Sequence, residues 1–348
     1  MIKLGVIGAG RVAQVHIAQL SGVNSVQVAA VADSSVRASL ALSEKTGAQS
    51  FTDFKDLLAS GIVDAVDIAL PHQLHYEVAC AALEKGLHVF LEKPLAGNLA
   101  DARAIAEVAS KSESVFMVSH NLLFHPAVIQ AKQLLSRKPI GRLTSCRAWS
   151  RGWLDLTPDD FRHSSQATGG GAWIDTSSHL LYVLEDLVSP LTDVVVLRSD
   201  GESRIGGEDN AAGSVRFEQG GTGTLEISYA DWNSNSSSGW PAGWNLGYQF
   251  FGTEGMFQLD LAPSALIRIE SADSHERIAF DVPFDDSFGG AFREFFAAIE
   301  EGRRPRVSAQ DALRTFEQVF AAESRDGWSG AKDEVSQMEM VGGQHVDK

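Results

Sequence analysis

The chain has 348 residues, 44 % of them hydrophobic and 21 % charged, which fits a globular protein of two domains better than a disordered chain. Its 29 Lys and Arg against 45 Asp and Glu give a formal charge of −16. Such a surface repels phosphate backbones and anionic headgroups, so neither nucleic acid nor a membrane is expected as a partner.

From the N-terminus, strand patterns over residues 3–7, 27–32, 65–69, 88–91 and 115–118 alternate with helical patterns over 12–20, 35–46, 74–85 and 100–110. The alternation predicts βαβ units and a doubly wound parallel sheet. The rhythm changes near residue 122. A helix is predicted over 126–136, a strand over 143–149, an irregular stretch over 150–168, and a helix from Gly169-Gly170-Gly171 to about residue 187. Strand-like pieces follow at 192–197, 210–217, 223–229, 247–251, 255–259, 266–269 and 277–280, then helices at 290–301 and 309–323. The reading is α/β: a Rossmann domain over 1–120, then an α+β domain over 121–328 with a large, mostly antiparallel open sheet. Residues 329–348 form a polar tail with the composition of a disordered end. No apolar run is long enough to span a bilayer, and no signal-peptide pattern opens the chain. Cys80 and Cys146 read as separate buried thiols, which points to the cytoplasm.

The first strand ends in Gly8-Ala9-Gly10-Arg11-Val12-Ala13, a G-x-G-x-x-A turn opening a helix. Gly8 permits the tight turn, Gly10 lets a pyrophosphate approach the backbone, and Ala13 allows close packing of helix on sheet. Asp33 ends the second strand, where a carboxylate accepts hydrogen bonds from ribose hydroxyls and repels a 2′-phosphate. Its competing role is to cap the next helix. Ser34, Ser35 and Arg37 leave NADP open if Asp33 swings aside, but NAD is the expected cofactor.

Further on stand Ala69-Leu70-Pro71-His72-Gln73-Leu74-His75, Glu92-Lys93-Pro94 at the end of the fifth strand pattern, and Gly169-Gly170-Gly171-Ala172-Trp173-Ile174-Asp175 followed by His179. With the glycine turn, these motifs resemble the Gfo/Idh/MocA family of glucose–fructose oxidoreductases and inositol dehydrogenases. The resemblance implies cofactor contacts from Gly8, Gly10, Arg11, Val12, Ala13 and Asp33, and further ones from Pro71, His72, His75, Glu92 and Lys93. It places Lys93 beside the nicotinamide, where an ammonium stabilises a developing alkoxide. Asp175 and His179 are four residues apart and share one helix face. An imidazole there takes or returns the substrate hydroxyl proton, while the carboxylate orients the ring or binds a neighbouring hydroxyl. The sequence departs from the common pattern at His72, where many relatives carry Asn, and at Leu122 and Leu123, where arginines are frequent; Asn121 remains a substrate candidate.

Arg151, Trp153 and Arg162, with Arg147, Trp149 and His163, cluster before the catalytic helix; Asp231, Trp232, Asn233, Trp240 and Trp244 crowd a second loop. Aromatic faces with short polar groups suit a polyhydroxylated ring, although tryptophans also fill cores and interfaces. The pairs His72/His75 and His120/His125 lack the spacing of a zinc site, so no metal is expected. The expectation is an NAD(P)-dependent oxidoreductase acting on a CH–OH group of a sugar, sugar derivative or cyclitol, with Lys93, Asp175 and His179 as its catalytic residues. Two rivals stand beside it: a redox-neutral glycoside-processing enzyme with tightly held NAD, and a non-enzymatic NAD or sugar sensor. Relatives commonly assemble through the open sheet, which implies a homodimer or homotetramer.

Overall fold

In the computed structural model the described residues are 1–326, except 21, 24, 155, 157–159, 165–167, 203, 204, 233–242 and 273. The tail at 329–348, Asn233 and Trp240 therefore lie outside the described residues. The first unit runs β1 (Ile2–Ile7), α1 (Arg11–Leu20), β2 (Val26–Ala32), α2 (Val36–Thr46), β3 (Gln49–Phe51), α3 (Phe54–Ala59), β4 (Ala65–Ile68), α4 (His75–Glu84), β5 (His88–Leu91), α5 (Leu99–Lys111) and β6 (Phe116–Val118). Its six strands are parallel in the order β3-β2-β1-β4-β5-β6. Strand order reverses between β1 and β4, and ligands of such sheets bind outside the strand ends at that point. Every residue of β4 is buried, as a strand covered on both faces requires. The short β3 and α3 escaped the sequence reading, since three and six residues carry too little periodicity.

The second unit contains α6 (Pro126–Leu135), β7 (Leu143–Gly152), α7 (Ala172–Leu187), β8 (Leu191–Ser199), β9 (Asn210–Phe217), β10 (Thr222–Ser228), β11 (Trp244–Gly252), β12 (Gly255–Ala262), β13 (Ala265–Ser271), β14 (His275–Phe280), α8 (Asp286–Glu301) and α9 (Ala309–Asp326). Its eight strands run β14-β13-β12-β11-β7-β10-β9-β8, antiparallel except for the parallel pair β7 and β10. Strict alternation of buried and exposed residues along β9 shows a sheet packed on one face and open on the other. Among the described residues no helix is long and apolar enough to cross a membrane. Both cysteines are buried and free.

The last two helices cross back to the first unit. Phe292 of α8 stacks on Phe90 of β5 with ring centroids 4.4 Å apart, and Phe295 adds a tilted contact at 5.5 Å. The segment before α9 hydrogen-bonds to β6, Val118 N donating to Val307 O at 3.2 Å, and Gln310 Nε2 donates to Ala106 O at 2.9 Å. Residues 286–326 thus cover the parallel sheet although they follow the antiparallel one.

Beneath α8 lies a buried charged cluster absent from the sequence reading. His16 of α1 is fully buried, its Nδ1 3.0 Å from Asp67 Oδ2 and its Nε2 3.2 Å from Glu92 Oε1. Burial opposes its charge, but the two flanking carboxylates outweigh that and raise its pKa to about 10. Burial likewise disfavours the Glu92 carboxylate, yet His16 and Lys93 hold its pKa at about 2. One imidazolium therefore ties α1 to the ends of β4 and β5.

Replacing Phe292 by alanine opens a cavity against Phe90 and is expected to cost about 3–5 kcal/mol, read from denaturant unfolding. Because folding raises the His16 pKa from 6.5 to about 10, the folded protein keeps a proton that the unfolded chain releases across that interval. Its stabilising contribution is complete below pH 6.5 and disappears as pH climbs through 10. Urea midpoints measured across this range should fall more steeply for the native protein than for His16→Gln.

Candidate active site

Both glycines of the turn after β1 stand where their chemistry is needed. Gly8 has φ +96°, and a Cβ there would lie 2.2 Å from Ala69 O, so only glycine fits. Among the described residues, nothing but its own chain neighbours lies within 4 Å of a Cβ built on Gly10. The protein's own packing does not demand that glycine, and the free space faces the N-terminus of α1, where a phosphate group fits. Asp33 Oδ2 accepts from Ala9 N at 2.8 Å and Oδ1 from Ser35 N at 2.7 Å. Ser35, not Asp33, caps α2, its side chain accepting from Ala38 N. Two backbone donors hold the carboxylate beside the glycine turn, and swinging it aside would break both bonds. The residues present therefore fit a bound NAD.

Downstream of this turn a cavity of about 220 Å³ opens between the two units. Arg11, Val12, Glu92 and Lys93 line it from the parallel-sheet side; Asn121, Trp153, Arg162, Asp175 and His179 line it from the other. The peptide between Lys93 and Pro94 is cis. Lys93 Nζ donates to Asp175 Oδ1 at 2.7 Å and to the Asp175 backbone O at 2.9 Å. Arg162 Nε and the Tyr229 hydroxyl donate to Asp175 Oδ2 at 3.2 and 2.8 Å. Burial would raise the Asp175 pKa, but Lys93 and Arg162 outweigh it and keep the carboxyl ionised. For His179, burial and the Lys93 charge both act downward, to a pKa of about 3, so the ring is neutral at neutral pH. Its Nδ1 lies 2.6 Å from the Tyr182 hydroxyl, leaving Nε2 for a ligand.

Helix α7 carries Asp175 and His179, and its N-terminus is held by Glu208. Glu208 Oε1 accepts from Trp173 N at 2.9 Å and its backbone O from Ala172 N at 2.8 Å. Gly169, at φ +77°, passes so close to Gly97 that a Cβ would lie 2.1 Å from Gly97 O. The loop after β5 and the loop before α7 are thus in backbone contact, which brings Lys93 within reach of Asp175.

Other candidates are placed elsewhere. His72 is buried with Nδ1 2.8 Å from Thr168 O, and burial lowers its pKa to about 3. His75 is fully buried, its two ring nitrogens each 2.9 Å from a carbonyl, of Pro94 and Leu70. His72 thus braces the loop before α7 and His75 the Lys93 loop, and neither lines the cavity. Pro71 caps the short 3-10 turn His72–Leu74 on which His72 sits. Arg151 does not join the cavity. Strand alternation sends Ser150 inward and Arg151 to the open sheet face, where it pairs with Asp231 and Glu226 at 2.5 and 2.6 Å. Arg147, Trp149 and Trp232 share that face, whereas Trp244 turns inward to line the cavity and meets Tyr229 at 5.4 Å. Asn121 donates to Ser287 Oγ at 2.8 Å. Sequence reasoning missed Tyr229, Thr176 and Tyr182; the two on α7 share faces with Asp175 or His179, a helical spacing that could have flagged them.

Two family models match this chain. An oxidoreductase family model with an NAD-binding Rossmann fold covers residues 2–120, and the corresponding C-terminal domain model covers 128–258. The chain is 25 % identical to the 1,5-anhydro-D-fructose reductase of Ensifer adhaerens, over 90 % of this chain and 92 % of that protein. It is also 25 % identical to the myo-inositol 2-dehydrogenase of Thermotoga maritima, over 92 % and 95 %. Among solved structures, levoglucosan dehydrogenase in complex with NADH and levoglucosan superposes with a TM-score of 0.82 at 20 % identity, covering 94 % of this chain and 99 % of that one. An Agrobacterium radiobacter oxidoreductase in complex with NAD+, L-tartaric acid and magnesium reaches 0.84 at 20 % identity, over 93 % and 96 %. The glycine turn, the ionised Lys93–Asp175 pair and both domain matches lead to one conclusion: the chain belongs to the GFO/IDH/MocA family of NAD-binding oxidoreductases.

Proposed function

We propose that this protein is an NAD-dependent dehydrogenase that interconverts a secondary alcohol and a ketone on a sugar, sugar derivative or cyclitol. The observation that carries the reading is the convergence of Lys93 from one unit with Asp175 and His179 from the other on a single cavity that Arg11 and Val12 of the glycine turn also line. Gly8, Gly10 and Asp33 would hold NAD along that turn, where it would supply the hydride acceptor for the carbinol carbon and, as NADH, the hydride donor. His179 Nε2 takes the hydroxyl proton as the C–H bond breaks, so that alcohol becomes ketone and the proton resides on the imidazole. The imidazolium then releases its proton to solvent, and burial together with the Lys93 charge favours the neutral ring. Lys93 donates a hydrogen bond to the reacting oxygen and stabilises its alkoxide character. Asp175 is committed to Lys93, Arg162 and Tyr229; it orients the ammonium and carries no proton itself.

A polyol ligand is supported by the lining, where the apolar faces of Trp153 and Trp244 alternate with Asn121, Thr176 and Arg162. The names of two relatives, an anhydrofructose reductase and an inositol dehydrogenase, point to the same chemistry. The polar, aromatic open sheet face suits assembly of a homodimer or homotetramer, and a cytoplasmic location accords with two free buried thiols. Domain limits at residues 120 and 328 belong to this reading, with the last helices serving both units.

A panel of inositols, aldoses and anhydrosugars assayed for NADH formation tests the proposal. At least one should turn over, and His179→Ala should lower kcat by about a hundred- to ten-thousandfold with that substrate. Turnover unaffected by both His179→Ala and Lys93→Ala would refute the assignment. Asp33→Ala removes the ribose acceptor, so NAD affinity measured by calorimetry should fall roughly ten- to hundredfold while NADP affinity falls less.

A further inference from the structure

We propose that the Tyr182 hydroxyl sets the tautomer of His179, placing the imidazole proton on Nε2 in the resting protein, so that the site receives a ketone more readily than an alcohol. The assignment of the tautomer stands on hydrogen-bond geometry alone; its consequence for substrate rests on the dehydrogenase reading above.

Tyr182 follows His179 by three residues on α7, and its hydroxyl lies 2.6 Å from His179 Nδ1. The phenol ring is 4 % exposed and stacks on His120 with centroids 4.2 Å apart and planes at 14°, so it holds its position. Its oxygen also accepts the backbone N–H of Leu122 at 3.3 Å. Two arrangements of the protons satisfy the His179 contact. In the first, Tyr182 donates its O–H to Nδ1, Leu122 donates to the phenol oxygen, and the imidazole proton sits on Nε2. In the second, Nδ1–H donates to Tyr182, and the buried phenol O–H is left without an acceptor among the described residues. An unpaired buried donor is disfavoured, so the first arrangement prevails. Burial supports the single-proton count on each partner, holding His179 neutral and the Tyr182 phenol protonated.

With the proton on Nε2, His179 and the Lys93 ammonium both present donors to the cavity, a pair that matches the two lone pairs of a carbonyl oxygen. An alcohol must give its proton to Nε2, and it binds productively only after the imidazole proton has moved to Nδ1 and the Tyr182 hydroxyl has turned from donor to acceptor. Tyr182 does not line the substrate cavity; it borders a second one, with His120, on the far side of α7. It is a positioning residue, acting through the ring it orients.

Long-range proton–nitrogen spectra of the protein labelled with 15N-histidine decide the question at neutral pH, with His179 signals assigned by their loss in His179→Gln. The expected pattern is a protonated, pyrrole-type Nε2 and a bare, pyridine-type Nδ1. Tyr182→Phe keeps the ring stacked on His120 and removes only the hydroxyl, so the His179 pair should move toward a mixture of tautomers while the other histidines stay put. With the substrate pair found by the panel, the same variant should raise KM for the ketone relative to the alcohol by roughly five- to tenfold. A bare Nε2 in the native protein, or His179 signals unmoved by Tyr182→Phe, overturns the proposal. The native spectrum decides the tautomer whether or not the variant folds. A protonated Nε2 in a protein that turns over nothing on the panel upholds the Tyr182 assignment and sinks the dehydrogenase reading; turnover with a bare Nε2 does the reverse.

Discussion

A nearly buried ion pair joins the two halves of the molecule: Lys93 at the end of β5 and Asp175 on α7, 2.7 Å apart. Such a pair adds little to stability, because taking both charges out of water costs about as much as their attraction returns. Its value lies in commitment. Every oxygen of the Asp175 side chain has a donor, from Lys93, Arg162 or Tyr229, so the carboxylate stays ionised and has no proton to exchange. His179, one turn along the same helix, is driven the other way by burial and by the same lysine. The two titratable groups are thus pushed apart, Asp175 toward the ionised form by Lys93 and Arg162 and His179 toward the neutral form by burial and Lys93.

That arrangement depends on features far from it. The Lys93 loop is braced from below by His75 and by the imidazolium of His16, which grips Glu92 while binding Asp67 on the next strand. Helix α7 is fixed at its start by Glu208 and by the backbone contact of Gly169 with Gly97. The return of α8 and α9 across the parallel sheet seals His16 under Phe288 and Phe292, with ring centroids 4.9 and 5.1 Å away. A buried cation between two carboxylates is costly to expose, so these helices help to hold the Lys93 loop rather than forming an appendage of the second domain.

The sequence disclosed what is local. The settings of Gly8, Gly10, Lys93, Asp175 and His179 were legible because each is defined by neighbours within a few positions: a turn, a strand end, a helix face. Contacts made across long separations were hidden. His16 and Asp67 are 51 residues apart, Asp175 and Tyr229 are 54, and nothing in the spacing of either pair suggests that they meet. Arg151 shows a different failure. Its composition and neighbourhood suited a sugar site, but strand period is two, and one step of phase sends a side chain to the opposite face of the sheet. His72 and His75 carry the right chemistry in the right loop, and burial gives their nitrogens to backbone carbonyls instead.

The net charge of −16 also needs a local correction. It argues well against polyanions that must lie along a broad surface, since repulsion is then summed over many contacts. A dinucleotide presents only two phosphates to one point, and charges beyond about 8 Å are largely screened at physiological salt. Within that radius of the glycine turn the field is set by the free N–H groups of α1 and by exposed Arg11 at its first position. Of the carboxylates near the turn, Asp33 is engaged by two backbone donors and Glu92 by His16, while Asp285 borders the same groove as Gly10 and Arg11. Engaging Asp33 and Glu92 with specific partners lets an acidic protein keep a pocket for an anionic cofactor, and two backbone donors hold the Asp33 carboxylate fixed beside the glycine turn.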